Sequence, residues 1–187
     1  MKKLFITFLS LISISLTAQV PNFTLANVVN GKSISLDTYP SCSGILIVFT
    51  TNTCPYDEYY RTRIKQISND YQDKVPVLLI NSSVDAAESA ENMTKKAQQI
   101  GITIPYLADK DQTLMQSLNA TKSPQVFLLK NTGGKFFVVY SGAIDDNAQV
   151  EKDVHQSYLK DAIDIMLTNQ KIETAEVRPV GCALRKK

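Results

Sequence analysis

The side chains best suited to chemistry in this 187-residue chain are its three cysteines, Cys42, Cys54 and Cys182. Cys54 lies in the run FTTNTCPYDEYYRTRI, residues 49–64, which leaves an apolar β-branched segment and enters a helical one within a few positions. That spacing puts Cys54 at or near a helix N-terminus, with Pro55 suited to the first helical position. Unpaired N–H groups and the positive end of the helix dipole favour a thiolate there, lower the thiol pKa and make the sulfur a nucleophile. Asp57 and Glu58 in the same turn act the other way, and Arg61 or Arg63 offsets them if either folds back. A buried structural cysteine is the alternative role. Three is an odd number, so at least one cysteine lacks an intramolecular partner. Their spacing fits no zinc site, and the single histidine, His155, leaves too few soft ligands. Neither a metal nor an organic cofactor is expected.

The elements that must position these thiols alternate along the chain. Phe23–Leu25 and Ser33–Leu36 flank Asn30–Gly31, a pair that favours a hairpin turn. Gly44–Thr50 is a continuous apolar run, as expected of a strand buried on both faces. Tyr56, Tyr60, Ile64, Ile67 and Tyr71 then recur at helical spacing. Val75–Ile80 reads as a second buried strand. Asp85 and Glu88 match a capping box ahead of a helix that ends at Gly101. Pro105–Ala108 is a short strand, and Asp111 is placed to cap a brief helix through Leu118. Gln125–Lys130 and Lys135–Tyr140 form a hairpin around Gly133–Gly134. A last helix is expected over about Ala148–Thr168, with His155 as a partly exposed residue on it. From Gln170 the pattern fades into a tail that carries Cys182. The class is α/β, a mixed central sheet flanked by helices on both faces, in one domain over residues 19–169 with a tail over 170–187.

Composition narrows the function. The chain is 44% apolar and 20% charged, which excludes a disordered or collagen-like protein. The net charge of +2 comes from Lys2 and Lys3, and the rest of the chain is balanced. A neutral body lacks the basic face a nucleic-acid binder needs. The first 18 residues, two lysines followed by an apolar run from Leu4 to Leu16 and small residues ending at Ala18, have the order of a secretory signal. That run spans roughly 20 Å as a helix, short of a ~30 Å hydrocarbon core. The mature protein is expected to be soluble and exported, periplasmic or secreted, with no membrane association after signal removal. Disulfides persist in such compartments.

Thr51-Asn52-Thr53-Cys54-Pro55-Tyr56 is similar to the Cys-Asn-x-Cys-Pro-Tyr run of a group of redoxin-domain proteins. They belong to the alkyl hydroperoxide reductase and thiol-specific antioxidant branch of the thioredoxin-like superfamily. Further similarities follow in order: Ile80-Asn81-Ser82, Ile104-Pro105-Tyr106-Leu107, Ser123-Pro124, the run Tyr140–Asn147, and Val180-Gly181-Cys182-Ala183-Leu184-Arg185. The resemblance covers residues 22–187 and implies a thioredoxin-like fold. It also implies a cis peptide bond before Pro124, with Ser123 and Pro124 facing the active cysteine and helping to bind substrate backbone.

The chain departs from that group at Thr51, where the group has its first cysteine. One cysteine in the motif rules out release of a mixed disulfide by a second thiol within it. Thr-x-x-Cys also resembles the peroxiredoxin arrangement, in which Cys54 attacks peroxide oxygen, becomes a sulfenic acid and passes to a disulfide. The proline usual ahead of that threonine is absent, Ile47 standing there. Cys42 and Cys54 lie at opposite ends of a strand spanning about 23 Å, beyond the ~7 Å reach of a disulfide. Cys182 is free to pair with either. A catalytic Cys54–Cys182 pair and a structural Cys42–Cys182 pair both remain open.

The expected function is therefore that of a thiol-based oxidoreductase. Cys54 is the redox-active thiol reducing peroxides, Thr51 a catalytic residue whose hydroxyl the resemblance places in hydrogen-bonding reach near that cysteine, and Cys182 the resolving thiol. Its partners are an external reductant, thioredoxin-like or a small thiol, and a peroxide or disulfide substrate. Thiol–disulfide exchange and a non-enzymatic binding module that lost the dithiol are the alternatives.

Overall fold

A computed structural model describes residues 19–187; the expected signal segment, residues 1–18, lies outside the described residues. Strands β1 (Thr24–Asn27) and β2 (Ser33–Ser35) form the first hairpin. Strand β3 (Gly44–Phe49) runs into helix α1 (Pro55–Tyr71), and β4 (Val77–Asn81) follows parallel to β3. Helix α2 (Ala90–Ile100) leads to β5 (Tyr106–Ala108), parallel to β4, and then to the short helix α3 (Thr113–Ser117). Strand β6 (Lys122–Ser123) precedes the hairpin of β7 (Gln125–Thr132) and β8 (Lys135–Gly142), with β7 antiparallel to β3. Helix α4 (Tyr158–Leu167) and the two-residue strands β9 (Glu176–Val177) and β10 (Cys182–Ala183) complete the chain. The main sheet has the order β2-β1-β5-β4-β3-β7-β8-β9, and β10 pairs with β6 in a second, two-stranded sheet.

Alternation along the central strands builds two cores. Leu46, Val48, Val126 and Leu128 face α1, α2 and α4 through Tyr60, Ile64, Met93, Ala97, Leu159, Ile163 and Met166. Ile45, Ile47, Phe49, Phe127 and Leu129 face the opposite way, against Leu114 and Met115 of α3 and Val20, Ile34 and Leu36 near the amino-terminal hairpin. Strands buried on both faces, such as β3 and β4, need this continuous apolar sequence.

Several local expectations change. Asp85 caps only a 3-10 turn and makes no capping hydrogen bond. The N-cap of α2 is Ser89, which accepts from Asn92 N, while Gly101 does supply the left-handed stop at φ 63°. Helix α3 is held by Asp109, not Asp111: the buried Asp109 carboxylate accepts from Leu114 N and Met115 N. The last helix starts at Tyr158 rather than near Ala148, because residues 143–150 wrap around a buried acid, Asp145, instead of continuing a helical face. His155 therefore precedes α4 and is exposed. The tail does not hang free. Strand β9 joins β8 in parallel, Leu184 N donates to Thr121 O, and Gln112 bonds Arg185 O and Lys187 N on the carboxyl side of Cys182.

Candidate active site

Cys54 is the N-cap of α1 and is buried, with Pro55 at the first helical position. Its sulfur is joined to that of Cys182, the two Cα atoms 6.0 Å apart. Of the two pairings left open by the sequence, this is the one the structure contains. Cys42 has a free thiol, which donates to Tyr39 O at 3.2 Å, and burial raises its pKa.

Ser123 connects the parts of the site. Its carbonyl oxygen lies 3.2 Å from Cys54 Sγ. Its Cα is the register partner of Cys182 in the β10–β6 pair. Its hydroxyl donates to Asp57 Oδ2, and its peptide bond to Pro124 is cis. Gly181 allows the tail to approach this closely, since a Cβ there would meet Ser123 O at 2.3 Å. The five residues Thr51, Cys54, Ser123, Pro124 and Cys182 thus come together from the β3–α1 junction, the β6–β7 junction and the tail.

Two carboxylates support the cysteine loop from behind. Asp57, 8% exposed, accepts from Thr51 N at 2.8 Å and Thr51 Oγ1 at 3.0 Å through Oδ2, while its Oδ1 is buried with no partner. Burial pushes the Asp57 carboxyl up to about 6, against the hydrogen bonds from Ser123 and Thr51, which pull it down. Glu88, 1% exposed, accepts from Asn52 N at 2.7 Å, Thr53 N at 3.1 Å and Thr53 Oγ1 at 2.7 Å, and from Asn81 Nδ2 at 2.8 Å. The Tyr106 hydroxyl donates to Asn52 Oδ1 and accepts from Asn81. Lys110 bonds Asn81 Oδ1 and Ser83 O, and burial pushes its ammonium down to about 8. Standing three residues after Asp85, Glu88 has the spacing of a helix cap. The loop donors to its carboxylate, Asn52 and Thr53, lie 36 and 35 positions away, out of reach of any local pattern.

The arginines do not fold back toward the thiol. Arg63 pairs with the buried Asp145 and bonds Asn147 O and Ala148 O, its guanidinium 3.9 Å over the Tyr60 ring. Arg61 pairs with Glu58 at 3.7 Å. A cavity of about 230 Å³ opens beside the cysteine loop, lined by Cys54 and Asp57, by Ile64, Leu79 and Ile104, and by Arg61, Lys65 and Lys96.

The AhpC/TSA family model matches residues 16–146. No curated protein matches the chain. Among solved structures, a hypothetical protein from Sinorhizobium meliloti 1021 is 26% identical, with a TM-score of 0.79 over 92% of this chain and 95% of that one. An uncharacterized conserved protein from Geobacillus kaustophilus is 27% identical, with a TM-score of 0.80 over 92% of each chain. A thiol-disulfide oxidoreductase from Bacteroides fragilis NCTC 9343 shares the fold at 16% identity, with a TM-score of 0.54 over 66% of this chain and 89% of that one. The chain belongs to the AhpC/TSA family and has a thioredoxin-like fold.

Proposed function

We propose that the protein is an exported thiol–disulfide oxidoreductase working through a Cys54–Cys182 couple. The observation that carries this reading is the seating of Cys182 on β6, which brings its sulfur to Cys54 beside Pro124. In the reduced protein the Cys54 thiolate attacks a partner disulfide, forming one S–S bond and expelling a partner thiolate. Cys182, as thiolate, then attacks the Cys54 sulfur, closes the internal disulfide and releases the second partner sulfur. Two electrons leave the protein, and an external thiol reductant returns them. The tail supplies the second thiol that a Cys-x-x-Cys motif carries within itself, because Thr51 provides none. Export rests on the charged, apolar and small-residue order of residues 1–18.

Peroxide reduction is the second reading, favoured by the AhpC/TSA match and by the cavity that reaches Cys54. There the thiolate attacks one peroxide oxygen, the O–O bond breaks, and an alcohol or water leaves. Cys182 then condenses with the resulting sulfenic acid and expels water.

One experiment separates the readings. The mature protein is reduced, mixed with stoichiometric oxidised glutathione or hydrogen peroxide, and followed by peptide-mapped mass spectrometry. Faster closure of Cys54–Cys182 by the disulfide supports exchange, and faster closure by peroxide supports the second reading. A Cys54 no faster than a free model thiol toward either overturns both.

A further inference from the structure

The cavity beside the cysteine loop has apolar walls that neither disulfide exchange nor peroxide reduction requires. It shares residues 50–55 with the cysteine site but takes none of its lining from Ser123, Pro124 or Cys182. It therefore lies on a different side of the loop from the tail and the cis proline. Ile64 of α1, Leu79 of β4 and Ile104 ahead of β5 are its buried apolar wall. Arg61 and Lys65 stand four positions apart on α1, and Lys96 and Ile100 repeat that spacing on α2, so each helix turns cations and aliphatic groups to one side. Lys65 is exposed and Arg61 and Lys96 are half-buried, which makes the cations the solvent end of the cavity and the aliphatic wall its inner end. An apolar cavity with a few charges gathered at one end has the make-up of a small-molecule site.

We propose that this cavity binds a small amphipathic carboxylate, its apolar body against Ile64, Leu79 and Ile104 and its carboxylate at Lys65 and Lys96. The volume sets the size of the ligand. At ~30 Å³ for each water-sized group, about 230 Å³ accommodates about eight of them, an alkyl chain of about eight carbons.

Charge sets the sign and the orientation. Among the described residues neither Lys65 nor Lys96 has an ion pair, whereas Arg61 pairs with Glu58 and Lys95 pairs with Glu91. Two ammonium groups lining one cavity from two helices repel each other, and a carboxylate between them relieves that repulsion. The acids of the lining are Glu58, already met by Arg61, and Asp57, buried at the inner end. A ligand carboxylate beside Asp57 would be repelled in a poorly solvated place, so the charged end turns outward. The inner hydroxyls do not call for a polar ligand: Thr53 donates to Glu88, and Tyr106 is engaged with Asn52 and Asn81. Aliphatic contact supplies the binding and the lysines select the anion.

The test uses the mature, oxidised protein, so its outcome does not depend on exchange or on peroxide reduction. Protein with ¹³C-labelled isoleucine and leucine methyls is titrated at neutral pH with octanoate, octan-1-ol and octylammonium. Octanoate is expected to shift the Ile64, Leu79 and Ile104 methyls saturably. Octan-1-ol should bind about tenfold more weakly, because it forgoes both exposed charge contacts, and octylammonium more weakly still. The double variant Lys65→Glu/Lys96→Glu changes two side chains that no ion pair holds, and it should invert the order so that octylammonium binds tighter than octanoate. Loss of folding cannot produce that inversion. Equal affinity for octanoate and octan-1-ol in the wild type overturns the proposal, as does a double variant that still prefers octanoate. So does the absence of saturable shifts at Ile64 and Ile104, or their appearance instead at Ile144 in the polar cavity beside Arg63 and Lys160.

Discussion

The Thr51 hydroxyl lies 3.0 Å from Asp57 Oδ2 and donates to it. The residue that stands where related redoxins carry their first cysteine is thus bound to a buried acid. Thr51→Cys tests what this exchange of residues accomplished. The introduced thiol is three positions from Cys54 and competes with Cys182 for it, while Asp57 loses a hydroxyl donor. Non-reducing peptide maps are expected to show the local disulfide at the expense of Cys54–Cys182, and insulin reduction by the variant should then survive Cys182→Ser. In the Thr51 protein, Cys182→Ser is expected to abolish turnover and trap mixed disulfides at Cys54.

Asp57 also sets a pH dependence of stability. Its folded pKa is raised from 3.8 to about 6, so the folded state holds the proton more tightly than the unfolded chain. The associated stability is fully present below about pH 4 and is lost as pH rises through about 6, a change of about 3 kcal/mol. Urea unfolding at pH 4.5 and 7 should show the difference between wild type and Asp57→Asn growing with pH, in favour of the variant. A constant difference would contradict the burial assigned to this carboxyl.

Glu88→Ala withdraws the acceptor from two backbone N–H groups, the Thr53 hydroxyl and the Asn81 amide. Three of these donors are part-buried and the Asn81 amide is buried, so leaving them unmet costs about 1–3 kcal/mol. The loop over residues 51–53 is expected to lose hydrogen-exchange protection at Asn52 and Thr53 ahead of global unfolding.

At Gly181 the limit is space rather than charge. Any Cβ there meets the Ser123 carbonyl, so Gly181→Val must lift the tail off β6. Closure of Cys54–Cys182 by oxidised glutathione should slow on the order of tenfold or more. The first attack by Cys54, read as formation of its mixed disulfide, should keep its rate.

Arg63→Ala leaves Asp145 as a buried charge without its partner, and the Tyr60 hydroxyl remains its one buried donor from α1. Loss of a partner from a buried pair costs about 3–5 kcal/mol. Cys54 alkylation rates in the folded reduced variant should match wild type, because this pair fastens residues 143–148 and not the cysteine loop.

The sequence by itself determined the α/β class, the central strands and the strand-to-helix junction at Cys54. These depend on unbroken apolar runs, on residue spacing and on proline and glycine, which act over a few neighbours. It also limited the disulfide to two pairings, because the length of β3 separates Cys42 from Cys54. Only the tertiary structure decided the rest. The tail is placed by its pairing with β6 and by Gln112, 70 or more positions earlier in the chain. Glu88 resembles a helix cap until the fold brings residues 52 and 53 to its carboxylate. Asp57 in the first turn of α1 opposes a thiolate by sequence position alone, and burial, which raises its pKa, makes it a neutralisable acid. Hydrogen bonds between distant segments and the loss of solvent around a charge are properties of the packed chain, and no local pattern of residues encodes them.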